Sequence, residues 1–215
     1  MIKENYDRIM QDEIAVLCAS GTPSLLLHSC CGPCSSAVLE RLCPYFDVTV
    51  YYDNPNIHPR EEFEKRAAEQ KRLLEEMTPA GKRVGLIIGS WDADAYYAFV
   101  RGLEEEPEGG KRCEKCFEFR MLRAAEAAKE RGFGLFTSTL TVSPHKDPVK
   151  VNAAGFLAQE AVGIRYLPSD FKKRDGYLRS LRLSAEYRLY RQDYCGCVFS
   201  MRREPAAEYG QRSKP

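Results

Sequence analysis

Two periods alternate along this chain. Short continuous apolar runs occur at Leu25-Leu26-Leu27, Phe46 to Tyr52, Val84 to Ile88, Leu135 to Thr137 and Ile164 to Leu167. Runs of this length, bounded by turn residues and rich in branched or aromatic side chains, predict buried strands. Between them the apolar positions recur at helical spacing. Helices are predicted over 3–19 (Tyr6, Ile9, Met10, Ile14, Leu17), 33–42, 59–77 (Phe63, Ala67, Leu73, Leu74), 91–103, 113–131 (Phe117, Met121, Ala124, Ala128), 148–161 and 172–194. Gly21-Thr22-Pro23, Pro44 and Gly132 mark breaks between them. Residues 53–59 read as an ordered turn, 139–147 as a polar turn, and 104–110 as an acidic, glycine-rich loop that is the best place for an insertion. Strands alternating with helices predict an α/β fold with a mostly parallel sheet between helices. No repeat or internal boundary stands out, so residues 1–205 are expected to form one metal-binding catalytic domain and 206–215 a polar, frayed tail.

Composition narrows the picture. The 215 residues are 44% hydrophobic and 29% charged, ordinary for a globular protein, and the net charge is +1. No global charge draws the chain to nucleic acid, so any basic surface must be local. No apolar stretch approaches a membrane span, and the N-terminus is polar with acids, unlike a signal peptide. A cytoplasmic protein without a membrane partner is expected.

The nine cysteines change the picture most. Seven fall in three tight groups: Cys30-Cys31-Gly-Pro-Cys34, Cys113-Glu-Lys-Cys116 and Cys195-Gly-Cys197. Cys18 and Cys43 stand alone and read as small buried hydrophobes. In a reducing compartment close spacing points to metal or redox chemistry rather than to structural disulfides. Cys113 and Cys116, at i and i+3 of a helix start, can face one centre. A zinc ion takes four ligands, so seven thiols overfill it; they suffice for one four-thiolate iron–sulfur cluster with three left over. Adjacent cysteines such as Cys30 and Cys31 are expected to diverge and to serve two neighbouring centres, and Cys195 and Cys197 likewise. The first group follows a predicted strand and precedes a helix starting near Pro33, the position at which open α/β sheets bind ligands.

Taken together, Cys30-Cys-Gly-Pro-Cys34, Tyr52-Asp-Asn-Pro-Asn-Ile-His-Pro59, Arg112-Cys-Glu-Lys-Cys-Phe-Glu-Phe-Arg120, Thr139-Leu-Thr-Val-Ser-Pro-His-Lys146 and Tyr194-Cys-Gly-Cys197 resemble the QueH-type epoxyqueuosine reductases, from about residue 24 to 198. The resemblance implies an adenine nucleotide α-hydrolase-like, Rossmann-like fold. It implies reduction of the epoxide of epoxyqueuosine at the tRNA wobble position, with electrons from an external donor. It also implies a [4Fe-4S] cluster with an adjacent mononuclear iron, held by thiolates and a carboxylate. In this chain Cys34 could take the carboxylate's place, or Asp53 could supply one. Opening an epoxide to an alkene, with its oxygen leaving as water, takes two electrons and two protons. Zinc cannot supply electrons; an iron–sulfur cluster can relay them, and an adjacent iron can act as a Lewis acid. Cys34, Asp53, His58 and Lys146 are the expected catalytic residues, with His145 a further loop residue near a strand end. His28, inside a strand, reads as a satisfied core histidine.

Arg165, Lys172, Lys173, Arg174, Arg179, Arg182, Arg188 and Arg191 cluster with Tyr177, Tyr187, Tyr190 and Tyr194. Basic and aromatic side chains together suit a single-stranded RNA loop. With the resemblance, Tyr187, Arg188, Tyr190 and Arg191 are expected to contact tRNA. The competing reading is a structural zinc-binding, RNA-binding module without catalysis. A dithiol oxidoreductase is a second rival. An ATP-dependent enzyme of the same fold group would carry a Ser-Gly-Gly-type loop where Cys-Cys-Gly-Pro-Cys stands.

Overall fold

A computed structural model describes residues 4–201. The chain runs α1 (Tyr6–Leu17), β1 (Ser24–His28), α2 (Gly32–Leu42), β2 (Asp47–Tyr52), α3 (Arg60–Glu76), β3 (Gly85–Ile88), α4 (Ala93–Phe99), α5 (Lys111–Glu130), β4 (Leu135–Ser138), α6 (Pro148–Val162), β5 (Arg165–Tyr166) and α7 (Gly176–Glu186). Short 3-10 turns lie at Pro79–Gly81, Thr139–Val142 and Val198–Ser200.

The strands form one parallel sheet in the order β3-β2-β1-β4-β5. β1 is central and its side chains sort by the alternation of a strand. Leu25 and Leu27 pack with Val38, Leu39 and Leu42 of α2 and Leu73 of α3. Leu26 packs with Met121 and Ala124 of α5 and Val151 and Ala154 of α6 on the opposite face. All three leucines are fully buried, each contributing about 1.5–3 kcal/mol relative to exposure. The sheet is therefore covered on both faces, as an all-parallel sheet requires. Among the described residues no helix is long and apolar enough to cross a membrane.

The strand order has its switch point between β1 and β4: β1 leads on to β2 on one side and β4 to β5 on the other. Register aligns His28 with Tyr51 of β2 and with Ser138 of β4. The loops that follow these three strands are thus adjacent: the thiol loop, the turn after Tyr52, and the segment leading to Lys146. His28 ties them together. It is fully buried, its Nδ1 lies 2.9 Å from Ser138 Oγ, and its Nε2 donates to the Asp53 carbonyl at 3.2 Å. Burial, with the nearby Arg120 charge, lowers its pKa to about 3. It is a satisfied core histidine.

Several expectations need correction. The helix expected over 172–194 covers only Gly176–Glu186. Arg188 takes a left-handed conformation (φ 48°), and the chain beyond is held extended by side chains of α3. Arg72 donates to the carbonyls of Tyr187 and Arg188 at 3.0 and 3.3 Å, and Glu69 accepts from Tyr190 N at 2.6 Å. The helix expected over 91–103 spans only Ala93–Phe99. The polar turn after β4 begins as a buried 3-10 turn, because Thr141 and Ser138 bond inside the protein. Cys43 is buried as expected, but Cys18 is only half-buried and its thiol meets the Tyr45 carbonyl at 3.4 Å. The tail expected at 206–215 lies outside the described residues.

Candidate metal centre

The first thiol group occupies the turn from β1 into α2. Cys31 is the N-cap of α2 and Cys34 lies in its first turn; the neighbouring Cys30 and Cys31 push the Cys34 thiol well above its usual range despite the helix dipole. The turn is braced from below by a buried polar network. Ser29 Oγ and Ser35 Oγ lie 2.5 Å apart, and both are within hydrogen-bond reach of Gln70 Oε1, at 3.0 and 2.6 Å. Asn54 Nδ2 donates to the Ser29 carbonyl at 2.8 Å. Contrary to the expectation of divergence, Cys30 and Cys31 converge, with their sulfurs 3.7 Å apart. A single ion with tetrahedral sulfur bonds of about 2.3 Å has sulfur–sulfur edges of about 3.8 Å. Cys31 and Cys34 are closer, at 2.9 Å, yet far beyond a disulfide bond of about 2.05 Å. Among the described residues, Cys30, Cys31 and Cys34 are the one set of three Cys, His or acidic side chains whose donor atoms all lie within 4.8 Å of one another. These three suit one metal ion.

The second group is assembled from two distant segments. Cys113 and Cys116 stand one turn apart at the start of α5, and Cys195 and Cys197 come from the loop after α7. All four line one small cavity with Tyr96, Arg120 and Lys146. They are too spread for a single ion, and a larger group would be needed to bridge them. Cys195-Gly-Cys197 is fixed by α3 and the turn before it. Arg66 donates to the Cys195 carbonyl at 3.2 Å, His58 N donates to the Gly196 carbonyl at 2.7 Å, and Tyr194 Oη donates to the His58 carbonyl at 2.6 Å. Glycine is required between the thiols: φ at Gly196 is 104°, and a Cβ there would meet Arg66 Nη1 and Ile57 Cγ1 at 2.9 Å.

A larger cavity of about 570 Å³ opens onto both groups. Cys30, Cys34 and Cys195 line it together with Arg120, Lys146, Tyr177, Arg191 and Tyr194. That volume falls in the range of small-ligand sites. Burial works against the Lys146 ammonium, but Cys195, Cys30 and Cys34 outweigh it and the pKa rises. Lys146 is therefore a stable cation. Hydrogen bonds from Cys31 and Cys34, helped by Lys146 and Arg120, hold the Cys30 thiol well below its usual range. Cys31 is correspondingly pushed up to about 12 by Cys30, and burial pushes Cys116 to about 12. A metal entering either group must displace these protons.

A profile described as Epoxyqueuosine reductase QueH matches residues 25–203. The chain belongs to the epoxyqueuosine reductase QueH family. It is 46% identical over 200 residues to the protein of that name from Streptococcus pyogenes serotype M1, covering 92% of this chain and 78% of that one. The Staphylococcus epidermidis protein is 42% identical over 202 residues, with 92% and 85% covered. The Thermotoga maritima protein is 32% identical over 194 residues, with 88% and 97% covered.

Within this chain the other expected residues fare unequally. Lys146 faces the thiols. Asp53 does not: its buried carboxylate is held by Arg123 at 2.5 and 2.8 Å. Among the described residues the His58 ring has one hydrogen-bond partner, Tyr97 Oη at 3.5 Å, and the residue acts through its backbone on the Cys195 loop. Of the four residues expected to meet tRNA, Arg191 lines the cavity. Arg188 is exposed outside it, Tyr187 packs on the core, and the Tyr190 ring is covered by Lys65 Nζ at 3.4 Å. Two residues were missed as site residues. Gln192 donates Nε2 to Cys31 Sγ at 3.2 Å. Arg120 was legible as the residue four positions after Cys116, on the same face of α5.

Proposed function

We propose that this chain reduces the epoxide of epoxyqueuosine in tRNA to the alkene of queuosine. The observation that carries this is a family match spanning two thiol groups that open onto one nucleoside-sized cavity. In this reading Cys113, Cys116, Cys195 and Cys197 hold a [4Fe-4S] cluster, and Cys30, Cys31 and Cys34 hold an adjacent mononuclear iron. The convergence of the first three on one point and the wider spread of the other four support that division. Cys34 then stands where the family resemblance puts a carboxylate. Asp53, engaged by Arg123, serves to fix the turn after β2. When bound, the two metal groups supply the electrons and a Lewis-acidic position beside Cys34.

The chain's own residues do the rest. Lys146 presents a protonated amine to the cavity and is placed to protonate the departing epoxide oxygen, which leaves as water after a second proton is taken up. Tyr177 and Tyr194 offer ring surfaces in its lining for a base drawn out of its stack. Arg191, which also lines it, suits a phosphate. Electrons come from an external donor. The strand order supports an adenine nucleotide α-hydrolase-like fold, and the absence of a glycine-rich phosphate cradle after β1 sets it apart from nucleotide-using relatives of that fold. We place the enzyme in the cytoplasm, where tRNA is modified.

The test is anaerobic purification and reconstitution, followed by incubation with epoxyqueuosine-tRNA and a chemical reductant. Iron and sulfide in the protein, and queuosine in the digested tRNA by mass spectrometry, are expected. A protein that takes up zinc alone, contains no sulfide and leaves the epoxide intact would instead be a structural RNA-binding module.

A further inference from the structure

Arg120 is 1% exposed, yet no carboxylate pairs with it among the described residues. Its Nη2 donates to Asn54 Oδ1 at 2.6 Å, and its Nε has no partner. Asn54 in turn donates to the Ser29 carbonyl, next to Cys30. The guanidinium is thus aimed by the turn after β2, itself tied to the thiol turn after β1, while its stem belongs to α5, which carries Cys113 and Cys116. It lines both cavities, touching the space of Cys30 and Cys34 on one side and of Cys116, Cys195 and Cys197 on the other. A buried cation without an anionic complement is unfavourable. Glu108 lines the same two cavities, but the anionic charges that bear on the guanidinium are those of the thiols Cys116, Cys30 and Cys195.

We propose that Arg120 is a positioning residue shared by the two thiol groups: a fixed counter-charge that favours their metal-bearing, thiolate form and raises the reduction potential of the iron they hold. The inference rests on the functional reading above. The sign follows from charge balance. A divalent ion replacing three thiol protons leaves the first group with net charge −1, and a [4Fe-4S] core of charge +2 replacing four thiol protons leaves the second with −2. Loading therefore makes the site more negative, and a fixed positive charge favours it. Reduction adds a further electron and is favoured for the same reason. Lys146 contributes a second positive charge from a flexible stem, whereas Arg120 is held by Asn54.

The experiment compares Arg120→Gln with Arg120→Lys. Both lose the guanidinium fork and they differ in charge. The first probe is Co²⁺ alone, titrated anaerobically into the metal-free chain and read by sulfur-to-cobalt absorption. Arg120→Gln should weaken Co²⁺ binding about 10–100-fold, and Arg120→Lys should stay within about threefold of the parent. In the iron-loaded protein Arg120→Gln should lower the midpoint potential and Arg120→Lys should largely restore it. Asn54→Ser, which frees the guanidinium without removing it, should fall between the parent and Arg120→Gln in both measurements. Equal losses in the glutamine and lysine variants would show that shape rather than charge matters and would overturn the proposal, as would no loss in either. A parent chain that binds Co²⁺ but takes up no iron and sulfide would refute the functional reading, while the Co²⁺ comparison would still decide the role of Arg120.

Discussion

Cys30, Cys31 and Cys34 share one turn at the switch point of the sheet, whereas Cys113 and Cys116 meet Cys195 and Cys197 only because the loop after α7 folds back onto α5. The first group inherits its geometry from β1, the cap of α2 and the network of Ser29, Ser35 and Gln70. The second depends on a few long-range hydrogen bonds, chiefly those of Arg66 and His58 to the Cys195 loop. A local turn is specified by adjacent residues; a site shared between distant segments is only as well formed as the tertiary contacts that join them.

The sharpest way to break this comparison is to remove one thiol from each group. Cys116→Ala should lose sulfide altogether while the turn after β1 still takes up an ion. Cys31→Ala should keep the sulfide and lose the extra iron. Turnover should fall at least about 1,000-fold in each case, as for groups that act as a unit. Iron and sulfide assays decide it, and loss of all iron in both variants would mean the groups are not separate. Next in size is Gly196→Ala, which leaves every thiol in place. The left-handed backbone and the clash with Arg66 and Ile57 should cost about 1–3 kcal/mol, or roughly 2–12 °C in melting temperature. Sulfide content should fall while the ion held by the β1 turn is retained. The smallest effect belongs to the segment that runs between the groups. Arg191→Ala should flatten the salt dependence of tRNA binding by about one unit of slope, with Arg188→Ala changing it less. Binding measured at several salt concentrations tests both, and equal slopes would remove Arg191 from the interface.

The same contrast explains what could be read from the sequence. The strands, their parallel order along the chain and the helix start near Pro33 follow from local apolar runs and turn residues, and all are present in the structure. Convergence of Cys30 and Cys31 was not legible. Alternation predicts divergence along a continuing strand, whereas here β1 ends at His28 and Cys31, itself still extended, is the N-cap at which the chain turns into α2. The stop of α7 at Glu186 was equally hidden. No Gly or Pro follows it, and the chain is turned by Arg72 and Glu69, more than a hundred positions earlier. Asp53 carried the right chemistry for a ligand, but nothing near it in sequence announces Arg123 as its partner. Lys146 and Arg120 both come from the quoted motifs, but only Lys146 was singled out. A buried arginine on an otherwise apolar helix face becomes conspicuous only when its surroundings are known.

The separation of Cys116 from Cys195 also sets a timetable. During synthesis the three thiols of the turn after β1 emerge together, and Asn54 and Gln70, which brace that turn, follow soon after. The other four thiols cannot gather until β4, α6, β5 and α7 have all been made, since Cys195 and Cys197 follow them. A nascent chain thus carries the three neighbouring thiols of the first turn long before it can shelter anything larger, although Gln192 reaches Cys31 only at the end. Loading of the larger site must wait for nearly the whole domain, so a stalled or truncated product could hold an ion without ever becoming an enzyme.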